Sequence, residues 1–438
     1  MLDIIPMPPN TPAIDFAGLQ KAALARHDWP TAKTEGWQFT RLAPISQQQF
    51  TSAIKAEEGV NASPILTTND KKSEANQFIF TNGILQATPS LSTGITLAGI
   101  NESPSLLAYL TQSMALEENN GDCEVIADLA VGHAEDIHVV TIKQKLNTPI
   151  TLSFDYSEGD TSHAISSPAV IIFDCEADTH LTILEQHHGS GNGLSLPFML
   201  FRLAKGSSVT HSRRLLESDQ RSHLGLVLVD MGEGARYHAH MLLQGNTLAR
   251  SETRIAMNGE DGDALLNTIY MARDKQMHDI TSCIDHNAAH CLSFQRVHGI
   301  VAGQAKSVFQ GKVKVARGAQ KTDGNQMSRS LLLSRECEVS TKPELEIYAD
   351  DVACSHGATL GEIDDGQLFY LKSRGIPHNT ARQMLIVAFL EEVLEAIEDD
   401  TARHWLTEVL DEETLAEWCA EEDTAAKPKP STKGRSAA

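Results

Sequence analysis

The sequence predicts a mainly β protein built on stacked short strands, and three observations carry that prediction. Short β-prone runs fill the chain from about Cys123 onward: Cys123–Ala127, Ile137–Ile142, Ile150–Phe154, Val170–Phe173, Leu181–Leu184, Leu224–Val229 and His238–Leu243, then Ala264–Ala272, Ile280–Ile284, Leu292–Val297, Ser307–Val315, Ser330–Leu333 and Leu345–Tyr348. In the second half they start about 10–16 residues apart, with Gly, Asn and Asp between them. No strong helical period interrupts them across about 240 residues, which is too long for one ordinary sandwich and lacks the helices of an α/β barrel. A solenoid accommodates such a series, because each coil lies against the previous one and only the two ends need caps. Val313 and Val315, like Leu345, Ile347 and Ala349, alternate with residues on the opposite strand face. A pair of sandwiches gives the same local pattern, so the residues favour the solenoid while leaving both architectures open.

Before this region the chain is mixed. Leu19–Arg26 reads as a short helix, Trp37-Gln38-Phe39-Thr40 as an extended aromatic segment and Gln47–Ala56 as a second helix. Phe78-Ile79-Phe80 followed by Asn82-Gly83 reads as a strand entering a hairpin turn. Ser105–Ser113 has Leu106, Leu107 and Leu110 on one helical side. After the strands, Pro377 suits an early helix position. Ala381, Met384, Leu385, Ala388, Phe389, Leu394 and Ile397 then follow helical spacing. Ile386, Val387 and Leu390 widen that apolar surface until it nearly surrounds the helix, so the helix is buried or docks a partner. A second helix is expected near Thr401 with Trp405, Leu406, Val409 and Leu410, and a short third turn from Thr414 with Leu415 and Trp418. The resulting division is 1–120 mixed and helical, 121–372 the β core, 373–423 helical, and 424–438 a Pro, Lys, Ser and Ala tail expected to be disordered.

Composition narrows the function. The chain has 36 basic and 58 acidic residues, a net charge of -22, which argues against broad nucleic-acid binding. Its longest apolar runs, such as Met384–Leu390, fall far short of the roughly 20 residues a membrane helix needs. The start, Met1-Leu2-Asp3-Ile4-Ile5-Pro6, lacks the pattern of a secretory signal. Seven cysteines, none in a CxxC, fit a reducing compartment better than a disulfide framework. Together these point to a cytoplasmic location. Fourteen acids against Arg403 alone lie between Glu391 and Asp423, beside exposed-looking Trp and Leu residues, so a solvated face and a partner surface both fit.

Phosphate-loop look-alikes at Gly303–Ser307 and Gly318–Thr322 lack the earlier glycine, and Gly189–Gly193 reads as a flexible loop rather than a nucleophile elbow. Histidines are more informative. Tyr237-His238-Ala239-His240 forms one group, and His278, Cys283, Asp285, His286, His290, Cys291 and His298 form another. Imidazole and thiolate suit zinc or iron. In strands, however, His286 and His290 lie more than about 10 Å apart, which favours structural histidines. Cys354-Ser355-His356 is sharper. It ends a β run and enters a Gly-containing turn, and in extended chain Cys354 and His356 point the same way. Two such donors can reach one soft metal centre without completing its ligand set.

The run Leu345-Glu346-Ile347-Tyr348-Ala349-Asp350-Asp351-Val352-Ala353-Cys354-Ser355-His356-Gly357-Ala358-Thr359 resembles the signature of the SufB/SufD family. So do Phe369-Tyr370-Leu371-Lys372-Ser373-Arg374-Gly375-Ile376-Pro377 and Ala381-Arg382-Gln383-Met384-Leu385. Within the family, Trp37-Gln38-Phe39-Thr40 is more similar to SufD than to SufB. The resemblance implies a right-handed parallel β-helix flanked by N-terminal and C-terminal helical domains. It implies a non-catalytic scaffold of iron–sulfur cluster assembly in a SufBCD-type complex, paired with a SufB-like paralogue through the β-helix. A homodimer is the arrangement to consider where SufB is absent. The C-terminal domain would hold a SufC-like ATPase, with Arg374, Gly375, Pro377, Ala381, Arg382, Met384 and Leu385 in the docking region. His356 would face the partner's cysteine at the nascent cluster, with Cys354 a nearby interface thiol. The cluster would be transient and shared, with none stably bound to the isolated chain, and Cys123 and Cys175 offer no cluster motif. Two other readings remain: a polysaccharide-processing β-helix enzyme, for which grouped carboxylates and aromatics are few, and an independent metal-binding protein using the 278–298 histidines.

Overall fold

The strands pair in parallel with partners about one coil away, not with their neighbours in sequence. A coil of 29 residues sets Leu248 opposite Met277, and Met277 opposite Lys306. Two strands fit in each coil, which is why the β-prone runs recur at about half that distance. In this computed structural model, residues 15–26, 29–52, 75–116, 124–156, 164–410 and 418 are described. Sheet one stacks Ile137–Ile142, Ala164–Cys175, Gly193–Leu203, Arg221–Met231, Leu248–Met257, Met277–His286, Lys306–Val315 and Glu338–Ile347. Sheet two stacks Ile150–Asp155, His180–Gly189, Ser208–Glu217, Arg236–Gln244, Asp263–Ala272, Leu292–Val301, Asp323–Leu332 and Ala353–Gly361. Unbroken parallel ladders exclude a pair of antiparallel sandwiches and establish a β-solenoid.

The coil corners are chemically marked. Asp178, Gly206, Gly234, Asp261, His290 and Lys321 all adopt positive φ where sheet one hands over to sheet two. The chain must reverse there within a few residues, and glycine or a short polar residue takes that conformation at least cost. His290 is therefore a corner residue. Gly189–Gly193, expected to be a loop, is the opposite corner: Gly189 ends one strand and Gly193 begins the next.

Alternate residues fill the interior in register. Phe80 stacks on Phe154 at 4.8 Å and Phe154 on the His187 ring at 4.3 Å, close to the spacing of paired strands. Phe173 stacks on Phe201 at 4.9 Å. At the N-terminal end, Ile95–Gly99 adds antiparallel to Ile137–Ile142, and Gln77–Thr81 adds parallel to Ile150–Asp155. Asn82 and Gly83, at φ 50° and 87°, turn the chain back into Ile84–Leu85 as the hairpin signal predicted. At the other end, Glu338–Ile347 and Ala353–Gly361 are the last strands of their sheets, with no further strand among the described residues.

Each outer face is covered by a different terminus. Helices Phe16–Arg26, Pro104–Leu116 and Glu124–His133 pack on the outside of sheet one through Leu19, Leu110 and Ile126 against Ile172, Leu196 and Leu226. Trp37 lies buried in the same layer, with the fully buried Arg250 guanidinium 3.9 Å from its ring centre and bonded to the Gly36 carbonyl and Asp279. On sheet two, His378–Leu394 and Asp400–Thr407 bury Ile386, Leu390, Trp405 and Leu406 against Leu242, Ile269 and Ile300. Asp399 caps the second of these helices through the Ala402 N–H.

Several expectations are corrected here. Residues 124–127, expected as strand, open the helix Glu124–His133, because the run Val125, Ile126, Leu129 and Ala130 has helical spacing; Cys123 lies outside the described residues. Within Gln47–Ala56, Phe50–Ser52 forms a strand paired with Ala164–Ser166, since tertiary pairing overrides local preference, and 53–56 lie outside the described residues. Trp37–Thr40 is a series of turns, with the Trp37 N–H bonded to the Thr34 carbonyl. Trp405 and Trp418 are buried rather than exposed. The expected third turn from Thr414 with Leu415, and the tail 424–438, lie outside the described residues. The chain after His356 does not turn: it continues as strand to Gly361, then enters the helix Asp365–Ser373. Among the described residues, no helix is long and apolar enough to cross a membrane.

Candidate functional site

Cys354 and His356 lie on the terminal strand of sheet two, in register with Gly324 and Gln326 of the strand beneath. They share the face directed to the solenoid interior. The Cys354 side is packed with Val313, Val315, Ala319 and Ala349. Gly324 lies beneath the thiol, where an added Cβ would be in ordinary contact with the Cys354 sulfur at 3.5 Å. Cys354 is half-buried and its thiol is pushed up by that burial. His356 is exposed. Ser355 points the other way, donating to Asn325 Oδ1 at 2.5 Å. Around them the last coil exposes apolar groups, with Ile347 39%, Tyr348 59% and Leu360 47% exposed. Pro343 lies in the last strand of sheet one, a position where a missing N–H breaks no ladder on the open side.

The predicted docking residues occupy the surface beyond this end. Arg374 ends the helix Asp365–Ser373, its guanidinium 5.1 Å from the Tyr370 ring, and Gly375 follows at φ 87°. Pro377 sits at the N-cap position just before the next helix, His378–Leu394, without a side-chain capping bond. Met384 is exposed, and Leu385 lines a depression with Tyr370, Leu371 and Gln367. Helix Asp365–Ser373 has no buried residue, and Phe369 is 73% exposed. Arg382 is partly buried, and Ala381 is wholly buried, so Ala381 packs the helix on its own domain rather than presenting a surface. The same domain is fastened to sheet two: Arg214 pairs with Glu408 at 3.0 Å and lies 4.0 Å from the Trp405 ring centre. His298 bonds the Phe389 carbonyl at 2.8 Å and stacks on its ring.

The other histidines predicted as a group do not converge. His278 donates to the Gly245 carbonyl at 2.7 Å, and His286 bonds Ser293 at 2.8 Å. Burial pushes each imidazole down to about 4 and the buried His240 to about 3. Cys291 bonds backbone carbonyls, and the Cys283 thiol is pushed up to about 12 by burial and by Asp285.

One group was missed in the sequence. Glu185, His187, His211, Glu217 and His223 meet inside the solenoid, all buried. Glu185 accepts from His187 and, at 2.6 Å, from His211, while Glu217 accepts from His223 at 2.7 Å. Burial alone would raise Glu217, but the imidazoles of His223 and His187, with Arg221, hold it at about 2. The signal in the sequence is a polar residue at inward positions of an apolar strand, Leu181, Ile183, Glu185 and His187, which only the coil register makes visible.

A family profile described as the SUF system FeS cluster assembly, SufBD core domain, matches residues 157–389. The iron–sulfur cluster assembly protein SufD of Escherichia coli is 30% identical over 395 residues, covering 86% of this chain and 87% of that protein. An iron–sulfur cluster assembly SufBD family protein of Synechocystis is 30% identical over 387 residues, 84% of each chain. The chloroplastic protein ABCI7 of Arabidopsis thaliana is 29% identical over 385 residues, 84% of this chain and 79% of its own. The profile spans more than half of the chain and the relatives nearly all of it, so this protein belongs to the SufBD family of the SUF iron–sulfur cluster assembly system.

Proposed function

We propose that this chain is a SufD-type, non-catalytic scaffold subunit that presents Cys354 and His356 to a nascent iron–sulfur cluster at a subunit interface. The observation that carries this reading is the uncovered last coil, with both donors on its inward face. An open pair of parallel edges is a template for strand addition, and soluble proteins cover such edges. A SufB-like paralogue with the same coil spacing can continue both ladders and bury Ile347, Tyr348 and Leu360. Where that paralogue is absent, a second copy of this chain meets the same edge. Two donors do not complete a cluster, so the partner supplies the rest. A thiolate with an imidazole holds iron–sulfur less firmly than thiolates alone, which suits cargo that must leave. Iron displaces the thiol proton of Cys354 on binding.

The exposed helix Asp365–Ser373 with Met384 is read as the seat of a SufC-like ATPase in the cytoplasm. Its link to the solenoid runs through Arg214, Trp405 and Glu408, so a pull on the helices reaches sheet two. The test is anaerobic co-purification with the SufB and SufC partners, followed by Mössbauer spectroscopy of the reconstituted complex for the native chain and His356→Ala. The reading predicts an intact complex with lost cluster. Unchanged loading in both His356→Ala and Cys354→Ser contradicts it.

A further inference from the structure

We propose that His187, Glu217 and His223 form a buried site for one first-row divalent metal ion, of the zinc or iron(II) class, inside the solenoid and separate from the open end. Their donor atoms lie within 4.8 Å of one another. Glu217 Oε1 stands 2.7 Å from His223 Nδ1 and 3.9 Å from His187 Nδ1. A tetrahedral ion about 2.1 Å from each donor requires donors about 3.4 Å apart, a value these two distances straddle. Two imidazoles and a carboxylate are a donor set that such ions favour.

The surroundings hold each donor as ligand-bearing groups are held. Glu185 takes the far nitrogen of His187, leaving Nδ1 toward the site, which is the carboxylate–imidazole support common behind metal ligands. The second oxygen of Glu217 is fixed by Ser195 at 2.9 Å and Asn246 at 2.8 Å. Gly225 makes room for the His223 ring: a Cβ there would lie 2.5 Å from Nε2. Charge points the same way. Glu185 and Glu217 are two buried anions, and among the described residues Arg221, 3.9 Å from Glu217, is the one arginine paired with either; Arg213 bonds Ser251 and Thr253 instead. The excess negative charge favours a cation. On binding, the His223 ring proton moves from Nδ1 to Nε2. The Tyr156 hydroxyl, 2.8 Å from His187 Nδ1, is released beside the fourth position.

The test uses the full chain expressed in medium containing cobalt(II), since a sealed site is filled during folding, and purified anaerobically. Metal analysis is expected to give about one cobalt per chain, with tetrahedral visible absorption and no sulfur charge-transfer band. Glu217→Gln, and separately His223→Gln, should lose that cobalt, while Cys354→Ser and His356→Ala keep it. Should the cluster variants fail to fold, X-ray absorption on the native chain decides: two imidazoles and no sulfur support the site. No stoichiometric cobalt in the native chain overturns it. Cobalt lost with His356→Ala or bound through sulfur also overturns it.

Discussion

At one end of the solenoid interior, His187 and His223 are sealed among stacked aromatic rings, two carboxylates and Arg221, with every strand around them paired on both sides. At the other, Cys354 and His356 stand on a strand with one neighbouring strand among the described residues, one half-buried and one exposed. Both places carry imidazoles at inward positions, and the coil register even sets His211 and His356 in one interior column, through Ala239, Leu266, Gln295 and Gln326. The difference is access. Polar groups in the sealed end are bound into the stability of the fold, whereas those at the open end are free of that duty and available to a partner.

Breaking the sealed end should have the largest effect. Glu217→Ala leaves Arg221 and His223 facing an empty anion position, and the loss of a buried charge partner costs about 3–5 kcal/mol. Thermal and urea unfolding midpoints should fall steeply. The matched change at the open end, His356→Ala, should stay within about 0.5 kcal/mol of the native chain. A His356→Ala midpoint as low as that of Glu217→Ala would erase the contrast.

Acid sharpens the comparison next. His278 is buried neutral, its imidazole pushed down to about 4 by burial against an ordinary 6.5. Below 6.5 the unfolded chain binds a proton that the folded chain refuses, so stability falls as pH drops from about 6.5 toward 4 and is flat above. His278 alone contributes a slope of about 1.4 kcal/mol per pH unit in that window. His278→Gln should lower the acid slope of the urea midpoint by about that amount, the remaining slope coming from His286 and His240, whose imidazoles burial depresses in the same way.

Smaller effects on stability belong to the open edge. Leu360→Asp and Ile347→Asp should change unfolding by less than about 0.5 kcal/mol, since both side chains are already exposed. The same changes should weaken association with the paralogue at least tenfold in sedimentation or calorimetry, because a charge would be buried in the joint. Thiol labelling followed by mass spectrometry should find Cys354 modified before the buried Cys175 and Cys291 in the free chain, and protected in the complex.

The architecture was legible because strand length, corner residues and the signature around Cys354 are local features. Val313 and Val315 reveal their inward face by alternation alone. Helix Glu124–His133 was misread because its apolar residues also suit a strand, and only packing on sheet one decides between them. The Glu185–His223 group was invisible for a different reason. Its members come from three strands on two sheets, and nothing in the sequence states that Glu217 folds back onto His187. The histidines from 278 to 298 are close in sequence, yet the coil places His286 inside and His290 at a corner, as the strand spacing that favoured structural histidines implied.

The most direct measurement is hydrogen–deuterium exchange of the monomeric chain against its complex with the SufB-like paralogue, read over Glu338–Ile347 and Ala353–Gly361. The account predicts fast exchange of the outward edge amides in the free chain and strong protection in the complex, with Arg221–Met231 slow in both. Protection confined to the helices from Asp365 onward, with the last coil unchanged, would contradict it.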